Sequence, residues 1–280
     1  MRCIRLLLSI LGLLALLVAA PAGETEYHAI SDPLPGLAGK TYGDLLRQVI
    51  PDLKLGEQSA TGTQTAPLRH VAGAGWGGEA LDPVEVTGVS SLELRAADKP
   101  YRLLLADLGT SQDRMESTTA LALFDAEGSL LDAVDVGFDR WTGFAEPTTL
   151  PIGGTNEAAI IVSEHANSNQ TYTTHAVIYI ENGKLRLADT VFTFNEANCS
   201  YERRQTPHFQ PLAAGAENAG FVVAVTDRQQ PPEEPCADQP AAEAFEREVR
   251  VTYRWDEAAK AFVPDSDALS RMEAESEQRF

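Results

Sequence analysis

Positive charge is in short supply in this chain: 22 Lys and Arg face 41 Asp and Glu over 280 residues, a formal net charge of −19. A surface of that sign repels phosphodiester backbones, which argues against nucleic acid as a partner. It argues equally against docking on anionic lipid. Cysteine is scarce too, with three in all and no Cys-x-x-Cys pair, so a thioredoxin-like redox motif and a zinc knuckle are both missing. Beyond residue 20 there is no long apolar run, whereas a membrane-spanning helix needs about 20 apolar residues. Catalytic signatures are missing as well: no His-Glu-x-x-His, no Gly-x-Ser-x-Gly, no Ser-x-x-Lys with its partner motifs, no Asp-rich calcium loop. Gly39-Lys40-Thr41 has the tail of a phosphate loop, but Leu34 stands where its leading glycine belongs. No residue is assigned a catalytic role, and no metal or cofactor is implied.

What is present begins at the N-terminus. Arg2 and Arg5 precede an apolar run, Leu6 to Ala20, and Ala20-Pro21-Ala22 fits the small-x-small pattern of signal-peptide cleavage. Residues 1–22 are therefore expected to be an export signal, cleaved between Ala22 and Gly23, and the mature chain to be secreted or periplasmic with no membrane span. Cys3 leaves with that segment. The remaining pair, Cys199 and Cys236, is expected to form a disulfide in an oxidising compartment. Asn169 and Asn198 begin Asn-x-Ser/Thr sequons, which matter only where the secretory pathway glycosylates.

Residues 23–90 read as a lead-in, a helix and a Gly-rich linker. The lead-in, 23–40, is rich in Pro and Gly. From Thr41 a helical face of Leu45, Leu46, Val49 and Ile50 is closed by Pro51. The linker includes Gly73-Ala74-Gly75-Trp76-Gly77-Gly78. Residues 91–265 then repeat one pattern three times, at about 91–136, 149–193 and 209–264. Each copy has a strand, a polar turn, a continuous apolar strand (Leu103-Leu104-Leu105, Ile160-Ile161-Val162, Val222-Val223-Ala224-Val225) and a hairpin. The hairpins turn at Asp125–Gly128, Asn182-Gly183 and Asp256–Ala259, and Asn-Gly between apolar runs is a strong hairpin signal. The expectation is a mainly β protein of four-stranded antiparallel meanders, propeller-blade-like or packed as a sandwich. Residues 68–89 are a candidate fourth, degenerate blade, and 266–280 a polar C-terminal helix or tail.

Strand parity sends the short turns to one edge and the long connections, at 109–117, 137–147, 164–171, 195–208 and 227–244, to the other. Cys199 and Cys236 fall in two of these connections. The candidate binding residues lie there too: Asp113 and Arg114, Trp141 and Phe144, His165, Asn167 and Asn169, Asp227 and Arg228. Amides, arginines and flat aromatics suit a glycan, a peptide or a small anion. Asp132, Asp135 and Asp139 resemble a metal run, but a strand puts Asp132 and Asp135 on opposite faces. Two functions follow. The first is an exported, non-catalytic binding or interaction module with an extracytoplasmic ligand or protein partner. The alternative is a secreted hydrolase of an extracellular polymer, with Asp113, His165 or Asp227 as acid–base groups.

Overall fold

Alternating apolar residues and tight turns give a chain built mainly of antiparallel strands. The structure, a computed structural model, describes residues 26–56, 59–74, 76, 79–110, 117–212, 219–232, 236 and 239–279. The expected signal segment 1–22 and two candidate binding residues, Asp113 and Arg114, lie outside the described residues. Among the described residues no helix is long and apolar enough to cross a membrane.

The N-terminal part supplies β1 (Glu26–His28), α1 (Tyr42–Leu46), β2 (Lys54–Leu55), β3 (Ala60–Gly62) and β4 (Val84–Val86). Thr41 caps α1 reciprocally with Asp44, satisfying two backbone donors that the helix leaves open. The helix is shorter than its apolar face predicts: residues 48 and 49 bond back three positions to Leu45 and Leu46, a tightened last turn. Leu45, Leu46 and Ile50 are nevertheless fully buried.

Three meanders follow. The first is β5 (Val89–Ala96), β6 (Lys99–Thr110), β7 (Ser117–Phe124) and β8 (Leu130–Asp135). The second is β9 (Trp141–Gly153), β10 (Asn156–Ala166), β11 (Gln170–Glu181) and β12 (Lys184–Ala197). The third is β13 (Glu202–Pro211), β14 (Phe221–Gln230), β15 (Phe245–Asp256) and β16 (Ala261–Pro264), followed by α2 (Ala268–Glu277). The first meander accepts β1 at its edge and forms a five-stranded sheet; the second and third join through β12 and β13 into one eight-stranded sheet. The meanders are thus real, but among the described residues they close neither a propeller nor a barrel. Among the described residues no fourth blade is formed. Val84–Val86 instead completes a three-stranded sheet with β2 and β3, and residues 69–71 run along β8 through Val71 N–H to Asp135 O and Asp135 N–H to Arg69 O.

The continuous apolar strands mark inner layers, covered on both faces. In β6, Leu104 and Ala106 face the core around α1, while Leu103 and Leu105 face β10 and β11. In β10, Ile161 meets the five-stranded sheet, and Ile160 and Val162 face a third core shared with Val223 of β14 and Val251 of β15. Because β10 and β14 share that core, the eight-stranded sheet curls on itself. A backbone bond from Gly220 N–H to Ile152 O (2.9 Å) ties the two halves at one end. A Cβ at Gly220 would meet Tyr253 O at 2.0 Å, so only glycine fits there.

The curl leaves a seam. β12 and β13 pair only at Glu196–Arg203 and Ala197–Glu202. Side chains replace the missing ladder: Phe194 N–H donates to Gln205 Oε1 (2.9 Å) and Gln205 N–H to Asn195 Oδ1 (2.8 Å). The C-terminal helix covers this stretch. Gln205 Nε2 bonds Ser276 Oγ, Arg279 pairs with Glu196, and Leu269 and Met272 enter the shared core. The expected polar C-terminal helix or tail is thus a helix, packed on the sheet through its few apolar residues.

Candidate functional site

The long connections are shorter than the sequence suggests, because the strands run on beyond the core. β9 starts at Trp141, only Asn167 to Asn169 separate β10 from β11, and β13 starts at Glu202. Ladder pairing satisfies the backbone there, so polar Thr, Glu and Gln side chains can stand on a solvated sheet face. Trp141, Phe144, His165, Asp227 and Arg228 are strand residues, not loop residues, which corrects the expected setting of each. The edge assignment by parity agrees with the register. Glu164 pairs with Trp141, His165 with Tyr172 and Thr171 with Asn195 at one end. The turns at 97–98 and 154–155 meet at the other, through Ala97 N–H to Asn156 Oδ1 and Asp98 N–H to Thr155 Oγ1.

At the long-connection end, β10, β11 and β12 project past the five-stranded sheet. Ser163 and His165 carry on the face begun by Ile161, and cross-strand pairing adds Tyr172 and Thr174 of β11 and Phe192 of β12. These residues floor a cavity of about 370 Å³, walled by Trp76, Phe138, Asp139 and, from α2, Glu273. The wall is fixed from below. Asp135, buried, accepts the N–H groups of Thr119 and Gly137 (both 3.0 Å). A Cβ on Gly137 would strike Ser117 O at 2.1 Å, so this tight bend requires glycine. Ala72 N–H donates to His70 Nδ1 (3.1 Å), which leaves the ring proton on Nε2 to bond Gly137 O (3.0 Å). That buried ring stacks on Trp76 (5.2 Å) and meets Phe138 edge-on (4.8 Å), so the indole is seated on a rigid support.

Polar side chains make up much of the lining, and some are held by hydrogen bonds. His165 Nδ1 lies 3.1 Å from Asp139 Oδ1, which also accepts Arg140 N–H at 2.7 Å. Ser163 Oγ accepts Phe138 N–H (3.3 Å) and lies 2.9 Å from Thr142 Oγ1. Tyr172 packs edge-on against His165 (5.7 Å), and burial, with the Asp139 charge adding, raises its phenol above the ordinary range. Burial also raises the Glu273 carboxyl, and Glu277 and Asp189 push it the same way. Among the described residues the cavity lining includes no Lys or Arg.

Of the sequence candidates, His165 and Asn167 line this cavity. Phe144 packs against the core between the sheets. Trp141 is 57% exposed but pairs with Glu164 on the opposite face, its ring lying over Gly143. Asn169 lines a separate, more open groove with Cys199 and Cys236. Those cysteines are bonded, with Cα atoms 5.2 Å apart and a sequence separation of 37. Asp227 is fully buried between Arg203 (2.8 and 2.6 Å) and Arg247 (2.9 Å). Burial pushes its carboxyl up, but the hydrogen bonds and charges of both arginines outweigh that and hold it below the usual range. Arg228 is exposed, 3.8 Å from Glu246. His165 and Asp227 therefore serve different places. Sequence reasoning missed Trp76, Phe138, Tyr172, Phe192 and Glu273. Residue parity along β10 to β12, carried past the apolar segment, would have found Tyr172 and Phe192. No local signal marks Trp76 or Glu273. Among the described residues, no group of three or more His, Cys, Asp or Glu is placed to hold a metal ion. Comparison with known protein families, with curated proteins and with solved structures finds no match.

Proposed function

We propose that the chain is an exported, non-catalytic binding module that holds a small ligand, or one unit of a larger one, in the cleft between the sheets. One observation carries the reading: four aromatic rings and several polar side chains, Asp139, His165 and Asn167 among them, converge on a 370 Å³ recess. A recess that joins aromatic walls to convergent polar side chains has the make-up of a ligand pocket. Export is supported by the Arg2–Ala22 segment and by the Cys199–Cys236 bond, since such bonds persist in oxidising compartments. Of the ligand classes considered, a small anion is disfavoured by the two carboxylates in the lining and by the net charge of −19. Calorimetric titration with simple glycosides, dipeptides and amines tests the reading. Binding of at least one class is expected, weakened about tenfold or more in Tyr172→Leu and unchanged in Gly183→Ala at the far edge. An affinity indifferent to Tyr172 contradicts it.

The hydrolase reading keeps one observation in its favour, the His165–Asp139 pair facing the cavity. Ser163, the hydroxyl on the same face, already bonds Thr142 and Phe138 N–H. Turnover of a polymer lost in His165→Ala would favour that reading over the module.

A further inference from the structure

We infer that the ligand of this cleft bears an ammonium group, held over the aromatic rings and faced by Asp139 and Glu273. This rests on the cleft being the binding site and names the chemistry it selects. Two independent features of the lining point the same way. The first is the rings themselves: Trp76, Phe138, Tyr172 and Phe192 approach from four separate segments, and the negative faces of aromatic rings attract cations, most strongly when the cation is shielded from water. Trp76 and Phe138 are braced against each other at 5.2 Å and against His70, and Tyr172 stands 6.0 Å from Phe192, so two ring pairs bound the recess.

The second feature is charge. Two carboxylates line the cavity, and among the described residues the lining includes no Lys or Arg. On α2, Glu273 has Glu277 and Asp189 as unfavourable neighbours that add to the effect of burial in opposing its ionisation. An incoming cation relieves that opposition, whereas an anion aggravates it and a neutral ligand leaves it in place. The surplus of acids over the whole chain draws cations toward the recess as well. A quaternary or substituted ammonium joins both features: it is weakly hydrated, spreads its charge over methyl or methylene groups and covers ring faces.

Choline chloride and its uncharged isostere 3,3-dimethylbutan-1-ol separate charge from shape. They are titrated into the disulfide-bonded chain and followed by calorimetry. Choline is expected to bind at least about tenfold more tightly than the alcohol. Glu273→Gln is expected to weaken choline about fivefold to tenfold and leave the alcohol unchanged. Raising the salt concentration should weaken choline alone. Equal affinity for the two probes, or full choline affinity in Glu273→Gln, overturns the inference and leaves the cleft reading standing. Failure of choline to bind, alongside Tyr172-dependent binding of an uncharged glycoside or dipeptide, overturns the inference in the same way. Failure of choline together with every glycoside, dipeptide and amine overturns both.

Discussion

Asp227 and His175 show how burial acts on single charges in this fold. Asp227 is ionised in full burial because Arg203 grips it through two nitrogens and Arg247 adds a third bond. Replacing it by Asn leaves the buried Arg203 guanidinium without its anion, while Arg247 keeps Glu275, and loss of one partner of a buried pair costs about 3–5 kcal/mol. Urea unfolding of Asp227→Asn should show a loss of that size. His175 is the opposite case. It sits on the inner face of the curl, 5.8 Å from Phe209, with Nδ1 buried and unpartnered. Burial lowers its pKa from 6.5 to about 4, against a smaller opposing effect from a bond to the Val191 backbone. The unfolded chain therefore binds a proton before the native one does, so stability is full above pH 6.5 and declines as the pH falls toward 4. The loss approaches ~3 kcal/mol below pH 4. Asp227, whose carboxyl is lowered, contributes above its ordinary range and is lost only as the pH falls below it. Unfolding curves between pH 7 and 4 should flatten in His175→Leu; an unchanged slope would remove His175 from this role.

At the scale of elements, the meanders were legible because each rule used is local. Asn182 and Gly183 take the positive φ angles, 50° and 71°, that a two-residue hairpin turn demands. The runs Leu103–Leu105 and Ile160–Val162 announced strands covered on both faces. What was not legible is how elements meet. Nothing within residues 184–211 says that β12 and β13 will splay and that Gln205 will stand in for the ladder, because that is decided by the curl and by α2, 60 residues further on. Helix α2 itself reads as polar, since only Leu269, Met272 and Ser276 are buried. The seam makes a specific prediction. Gln205→Leu keeps the bulk but leaves the buried Phe194 N–H without its acceptor, at about 1–3 kcal/mol. Hydrogen exchange should quicken at Phe194 and along α2, while the turn at 182–183 keeps its protection. An effect spread evenly over the sheet would mean that the seam is not a local contact.

For the whole molecule, parity along the strands placed the disulfide and the long connections at one edge, but an edge is not a site. The sheet divides that edge into two faces, and this separates Trp141 from His165 although their strands are paired. The cleft is assembled from a segment read as linker (Trp76), a bend (Phe138, Asp139), three strands and the last helix. Such a site is written in tertiary contacts and not in any motif, which is why Asn167 and His165 were found and Trp76 and Glu273 were not. The most direct test of the central claim is amide and indole chemical-shift mapping on the ¹⁵N-labelled chain, titrated separately with choline chloride, a methyl glycoside and a dipeptide. The account predicts shifts confined to the Trp76 indole and to residues 137–140, 163–167, 172–174, 190–192 and 272–274. Shifts centred on the disulfide groove or on the 182–183 edge, with those residues silent, would contradict it.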